Sequence, residues 1–376
     1  MTQAAANSPN EFMRAIIQRI ATGPELSKDL SFDEARGAME LVLQNRVDPV
    51  QAGVFLIALR MKRETDDENR GVLQALMDAT HYATAAAEDV IQIADPFDGY
   101  VRGLPVSAFL PPVLAACGVP CVSVGAESVG PKYGATHRKV LRAAGVDVDL
   151  TPQAAARRLA DARTGWAYVD QRHSCPALHD LLGLRTLIVK RPCLTTTEVL
   201  LSPVRGQART HLVTGYVHKP YPRIYVLLAK HAGFDSAMLV RGVEGGVTPS
   251  LQQASKYVYF RGHDDTQEQR LDPSSIGISA ESRAVPLPDG LPAAVERPDA
   301  IGSVVNADAA AAAAARAGLD ALRGASGPAY DSLVYTSALC LYHLERAPSL
   351  VAAADQARAV LQSGQALARL DTRNRS

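Results

Sequence analysis

From about residue 88 to residue 240, short apolar, β-branched runs alternate with helical periods, and nothing else in the chain restricts its fold as strongly. The runs cover residues 90–93, 120–124, 166–169 and 237–240. Between them, residues 109–117, 154–162 and 224–232 carry apolar side chains at helical spacing. Such alternation predicts an α/β fold, a larger α/β domain with a mostly parallel central sheet.

The first eighty residues have a different texture. Ser31-Phe-Asp-Glu34 and Thr65-Asp-Asp-Glu68 have capping-box spacing, and Asp48-Pro49 places a cap residue before a proline suited to a first helical turn. No strand-like alternation occurs there, which predicts a small all-helical N-terminal domain. We set it at residues 1–84, with a contribution from 174–192, and the α/β domain at 88–376. Residues 261–300, rich in Pro, Gly, Asp and Ser, read as loops with a possible strand at 283–287, and helices are expected over 307–323, 330–346 and 349–368. A length of 376 residues suits two domains. The start of the chain lacks the basic-then-apolar pattern of a signal peptide, and the alanine-rich stretch 307–317 is too short to span a bilayer, so no membrane partner is expected. Five cysteines without a CxxC pair suggest reduced thiols and a cytoplasmic protein.

Formal net charge is zero, so any attraction to polyanions must be local. It is concentrated in the segment 185–241, where nine Arg or Lys face two acids, a balance of +7. Within it, Arg185, Lys190, Arg191, Lys219, Arg223 and Arg241 are candidate phosphate-binding cations, joined by His218. A second cluster contributes Lys132, Arg138 and Lys139, and the opposing acids gather mainly in 264–299. The string Gly215-Tyr-Val-His218-Lys-Pro-Tyr221-Pro forms a rigid loop ahead of a helix, a ready anion site, and Tyr216, Tyr221 and Tyr225 interleave with the cations. The bland alternative is a set of solvated charges paired with the acidic loop. No Ser-His-Asp context, HExxH or P-loop pattern is present.

The stretch Leu30-Ser-Phe-Asp-Glu-Ala35, with residues 51–65 and Gly71, resembles the helical domain of anthranilate phosphoribosyltransferases, which carry a variant of AFLxALRxKGET there. The resemblance covers roughly residues 11–250, and Arg60 and Lys62 within it read as surface or dimer-interface residues. It implies a ligand cleft between the domains and a homodimer formed through the helical domain. Family enzymes hold pyrophosphate on a GTGGD loop and magnesium on an adjacent Asp-Glu pair. Here the first position reads Asp95-Pro-Phe-Asp-Gly-Tyr100 and the second Gly245-Gly-Val-Thr248. Proline has no N–H to offer, and phenylalanine is bulky where backbone should approach the ligand. Asp95, Asp98 and Gly99 thus mark a degenerate donor loop, and no metal or other cofactor is expected. Ala126-Glu127 replaces a family asparagine with an acid. These departures resemble a bacterial paralogue group that keeps the fold and includes nucleic-acid-binding members. The expectation is a protein that binds DNA, RNA or another polyanion through its basic clusters. The alternative is a glycosyl or phosphoribosyl transferase with an altered donor site, holding a phosphorylated small molecule.

Overall fold

The computed structural model describes residues 8–23, 25–294 and 304–370. The expected tail from Asp371, and Glu296 and Asp299 of the acidic segment, lie outside them. Four helices open the chain: α1 (Pro9–Ile20), α2 (Phe32–Leu43), α3 (Pro49–Lys62) and α4 (Asp66–Asp78). Both capping boxes form, with Ser31 and Thr65 accepting from the amides of Glu34 and Glu68 and the glutamates returning to the cap N–H groups. Glu68 also accepts from the Leu30 amide at 2.8 Å and holds Lys62 at 2.9 Å, which ties α4 to the entry of α2 and the end of α3.

The chain then runs through β1 (Ala83–Thr84), β2 (Asp89–Ala94), α5 (Leu110–Ala116), β3 (Cys121–Gly125), α6 (His137–Ala143), α7 (Pro152–Ala160) and β4 (Trp166–Asp170). Four short helices, α8 (Gln171–Ser174), α9 (Pro176–His179), α10 (Leu182–Ile188) and α11 (Leu194–Thr197), bring it back against the helical layer, where α10 meets α3 and α11 meets α4. Next come β5 (Val204–Arg205), β6 (Arg209–Gly215), α12 (Tyr221–His231), β7 (Ser236–Val240), β8 (Ser255–Arg261) and β9 (Gln267–Leu271). Four helices close the described chain: α13 (Ala307–Leu322), α14 (Pro328–His343), α15 (Leu350–Gln362) and α16 (Gln365–Leu370).

The main sheet has the order β4-β3-β2-β6-β7-β8-β9, with β4 to β7 mutually parallel and β8 and β9 antiparallel; β1 and β5 form a separate parallel pair. Side chains alternate across the sheet as strand geometry requires. Val90, Leu212, Ala237 and Leu239 join an apolar cluster with the helical layer, α7 and α12. Ile91, Ile93, Val213, Met238 and Val240 join a second cluster with α5, α6 and the closing helices. The strand order runs outward in opposite directions from β2 and β6. The boundary between those two strands is the switch point, at whose carboxyl end open α/β sheets place ligands.

Four expectations need correction. Strand β6, at the centre of the sheet, was not anticipated, because its first residues, Arg209, Thr210 and His211, are polar. Loops were expected after residue 261, yet β9 forms there; it is a sheet edge exposing Gln267, Glu268 and Arg270, so it carries no apolar alternation. The possible strand at 283–287 is reduced to one bridge between Gly103 and Pro286. The single helix expected over 349–368 breaks at Gly364, whose φ of 72° lies in the left-handed region.

Candidate functional site

A crevice of about 180 Å³ opens at the switch point. The turn after β2 supplies Pro96, Phe97 and Asp98; the end of β6 and the turn after it supply Thr214 to His218; α12 adds Tyr221 and Tyr225. From the helical layer comes Arg60, and the segments before and within α11 bring Arg191, Pro192, Thr195 and Thr196. The walls are therefore largely apolar and aromatic, with cations grouped on two sides. The ring centroids of His218 and Tyr221 lie 6.3 Å apart, and those of Tyr221 and Tyr225 lie 6.1 Å apart. Arg60 donates from Nη2 to the Tyr221 hydroxyl at 2.7 Å and keeps Nη1 3.7 Å from Glu64. Glu64 is pushed above the ordinary carboxylate range by burial. Helix α12 follows Pro220 without a side-chain cap; the Tyr221 amide donates to the His218 carbonyl at 3.2 Å and Pro222 has no N–H.

Three carboxylates organise the floor. Asp95, at the end of β2, is fully buried and takes four partners: Tyr100 Oη (3.1 Å), Ser107 Oγ (2.5 Å), His137 Nε2 (2.6 Å) and the Val247 amide (2.7 Å). Burial alone would raise its pKa, but His137 and these hydrogen bonds bring it below the ordinary value. Glu244, in the turn after β7, accepts from the amides of Val101 (3.0 Å) and Arg102 (2.8 Å). It does so from a φ of 54°, a left-handed conformation that costs a non-glycine residue about 1–3 kcal/mol. Gly246 packs against Tyr100 so closely that a Cβ would fall 1.5 Å from the hydroxyl. The turns after β2 and β7 are thus fastened into one unit. Asp98 engages Lys132 Nζ at 3.1 Å and Arg191 at 2.6 Å from Nη2 and 3.1 Å from Nε.

The sequence-predicted residues divide accordingly. Lys132, Arg191, His218, Asp98 and the neighbouring turn come together at the crevice. Lys190, Lys219 and Arg241 are exposed, with no ion pair among the described residues. Arg223 forms a two-pronged pair with Asp66 (2.7 and 2.8 Å) that joins α12 to α4. Arg138 and Arg185 are not ligand-facing: each is buried, Arg185 against Glu198 (2.7 and 2.8 Å) and Arg138 against Glu127 (2.8 Å), Asp149 (2.7 Å) and Asp170 (3.3 Å). Lys139 pairs with Asp308 (2.6 Å) and Glu127 (3.2 Å). Glu127 lies outside the crevice lining, where Arg142 and Lys139 outweigh its burial and hold it down to about 2. Gly99, with φ of 76°, makes the turn after Asp98, and a Cβ there would strike the backbone of Gly134 and Ala135.

Arg60, expected at the surface or a dimer interface, is exposed and also lines the crevice. Lys62, expected likewise at the surface or a dimer interface, has its side chain buried instead, locked between Asp29 (2.7 Å) and Glu68 (2.9 Å). In the sequence Glu244 is only part of a glycine-rich turn after a strand, because its role lies in backbone amides 142 and 143 residues away.

A magnesium ion would need free carboxylate oxygens. Asp95, Asp98 and Glu244 are each committed to protein donors, and no three His, Cys, Asp or Glu side chains gather to hold a metal among the described residues. The residues present do not fit that ion. No described helix is long and apolar enough to cross a membrane.

Comparison with known proteins gives consistent matches. Residues 14–80 match the helical bundle domain of the glycosyl transferase family, and residues 101–286 match its a/b domain. An anthranilate phosphoribosyltransferase from a Bradyrhizobium species is 28% identical over 95% of this chain and 96% of its own. An uncharacterised protein from Aquifex aeolicus is 27% identical over 67% of this chain and 74% of its own. The crystal structure of anthranilate phosphoribosyltransferase from Thermus thermophilus superimposes with a TM-score of 0.71 at 21% identity, covering 96% of this chain and 97% of that one.

Proposed function

Because the chain belongs to the glycosyl transferase family that includes the anthranilate phosphoribosyltransferases, we propose that it binds a small phosphorylated molecule in the crevice between its helical layer and sheet. The observation that carries this reading is where the cations go. Arg60, Lys132, Arg191 and His218 all line one crevice at the switch point, where Lys132 and Arg191 share a single carboxylate, Asp98. Arg138, Lys139, Arg185 and Arg223, which a nucleic-acid backbone would need, are engaged in ion pairs. An open DNA- or RNA-binding surface is left with the scattered Lys190, Lys219 and Arg241. The aromatic walls suit a ligand whose phosphate is attached to a ring.

The same geometry supports an altered donor site. In this reading the glycine-rich pyrophosphate loop and the acidic metal pair have been replaced by Asp95 and Glu244, whose carboxylates take the Val247, Val101 and Arg102 amides for themselves. Calorimetric titration tests the proposal. Ribose 5-phosphate should bind equally with and without magnesium, and Arg60→Gln should weaken it by about tenfold, as loss of a charged hydrogen bond implies. DNA should bind weakly at both ~50 and ~200 mM salt. Tight DNA binding that collapses between those salts, as counterion release requires, with no measurable affinity for the sugar phosphate, would overturn the reading.

We propose also that the chain forms the homodimer implied by its resemblance. Val50, Val54, Ile57 and Met61 follow one face of α3, and Leu187 of α10 lies 81% exposed nearby. Light scattering should give twice the chain mass, reverting to a monomer in Val54→Glu with Met61→Glu; a wild-type monomer would refute it.

A further inference from the structure

The floor of the crevice contains an arrangement that goes beyond ligand binding as such. Lys132 and Arg191 reach the crevice from different segments, yet both converge on the Asp98 carboxylate, at 3.1 Å and 2.6 Å. A carboxylate held between an ammonium and a guanidinium makes the charge-assisted contacts that a phosphate oxygen pair would make. Asp98 is 4% exposed and Lys132 12% exposed, so neither exchanges freely with water. Arg191 is 44% exposed and sits at the mouth. Asp98 itself rides on a short turn between Pro96 and Gly99, bound at its base by the fully buried Asp95.

We propose that Asp98 is a built-in competitor: its carboxylate occupies the anion position formed by Lys132 and Arg191, and a phosphate monoester binds there only by displacing it. The inference rests on the reading of the crevice as a phosphate-ligand site. It adds that the affinity of that site is set from within, by one residue. The turn carrying Asp98 is itself fastened, its carbonyl accepting from the Gly134 amide at 2.9 Å, so displacement is a rotation of the Asp98 side chain away from Lys132, ahead of α6, and Arg191, after α10. Displacing Asp98 breaks its contacts to both cations, a cost offset only by an anion that re-forms both, so phosphate is selected over neutral sugars while weak anions are refused.

The test is calorimetric titration of ribose 5-phosphate at fixed ionic strength into the wild type, Asp98→Asn, and Asp98→Asn combined with Arg191→Gln. Asparagine keeps the shape and removes the competing charge. The expected result is binding about tenfold tighter in Asp98→Asn, the loss of one charged competitor, with the gain abolished in the double variant. Should Asp98→Asn fail to fold, as judged by its melting transition, Asp98→Ser carries the same comparison, with room for water between the cations. Measurable wild-type binding that Asp98→Asn does not tighten would overturn the competitor while leaving the crevice reading intact. Tightening in Asp98→Asn, abolished by Arg191→Gln, beside a wild type that binds no sugar phosphate at all, would support the competitor and sink the crevice reading. Absence of binding in every variant would overturn both.

Discussion

At the scale of single residues, the crevice depends on buried groups that the sequence displays without explaining. Asp95 could be read as a departure from a glycine-rich loop, but not as the partner of four donors from four different segments. One of them, the Val247 amide, lies 152 residues away. Removing its charge leaves His137 and the Val247 amide facing a weaker acceptor in a buried site. Asp95→Asn should therefore lower stability by about 3 kcal/mol, the usual cost of breaking a buried charged contact, read from denaturant unfolding. An unchanged midpoint would mean that the network is not what fastens the turns. Arg138 and Arg185 illustrate the opposite difficulty. Their basic character was legible, but the glutamates and aspartates that consume it, Glu198 among them, arrive only through folding.

At the scale of elements, caps were the most legible signals, because a capping box is satisfied within four residues. Strand β6 was hidden for the complementary reason. Arg209 and His211 look like surface residues, yet Arg209 reaches back to Asp89 at the start of β2 (2.7 Å), and only their partners make this a strand start. The alanine-rich α13 was expected as a plain helix, and the structure gives its composition a purpose. Small side chains let it press on α6 and on the turn at residues 106–109. A Cβ at Gly318 would lie 2.1 Å from the Phe109 ring. Gly318→Ala should therefore destabilise the protein by about 2 kcal/mol, as overpacking does, despite alanine's better helix propensity. A gain in melting temperature would show that Phe109 has room to turn aside.

At the scale of the whole molecule, the end of the sheet opposite the crevice carries a buried chain of polar groups. His211 Nδ1 lies 2.8 Å from Ser236 Oγ, which lies 2.9 Å from His343 Nε2 and so links the sheet to α14. Burial, with the charge of Arg261 and of His211 adding to it, pushes His343 from its ordinary 6.5 down to about 3. The unfolded chain takes up this proton as the pH falls below 6.5 while the folded protein refuses it. Stability is thus full above that pH and declines through the window down to about 3, by roughly 2 kcal/mol at pH 5. Melting temperatures between pH 8 and 5 should track this, and His343→Asn should flatten the slope; an unaltered slope in that variant would assign the loss to other groups. The overall architecture was legible because alternation and capping are repeated many times, whereas the crevice, built from single residues of distant segments, was legible only in part. The apolar cluster that runs from Met13 and Phe55 through Val90 to Leu239 has its own consequence. The helical layer is not a module hung on a linker but a lobe that shares its interior with the sheet. Limited proteolysis should fail to release it as a folded fragment, and calorimetry should record one cooperative transition for both.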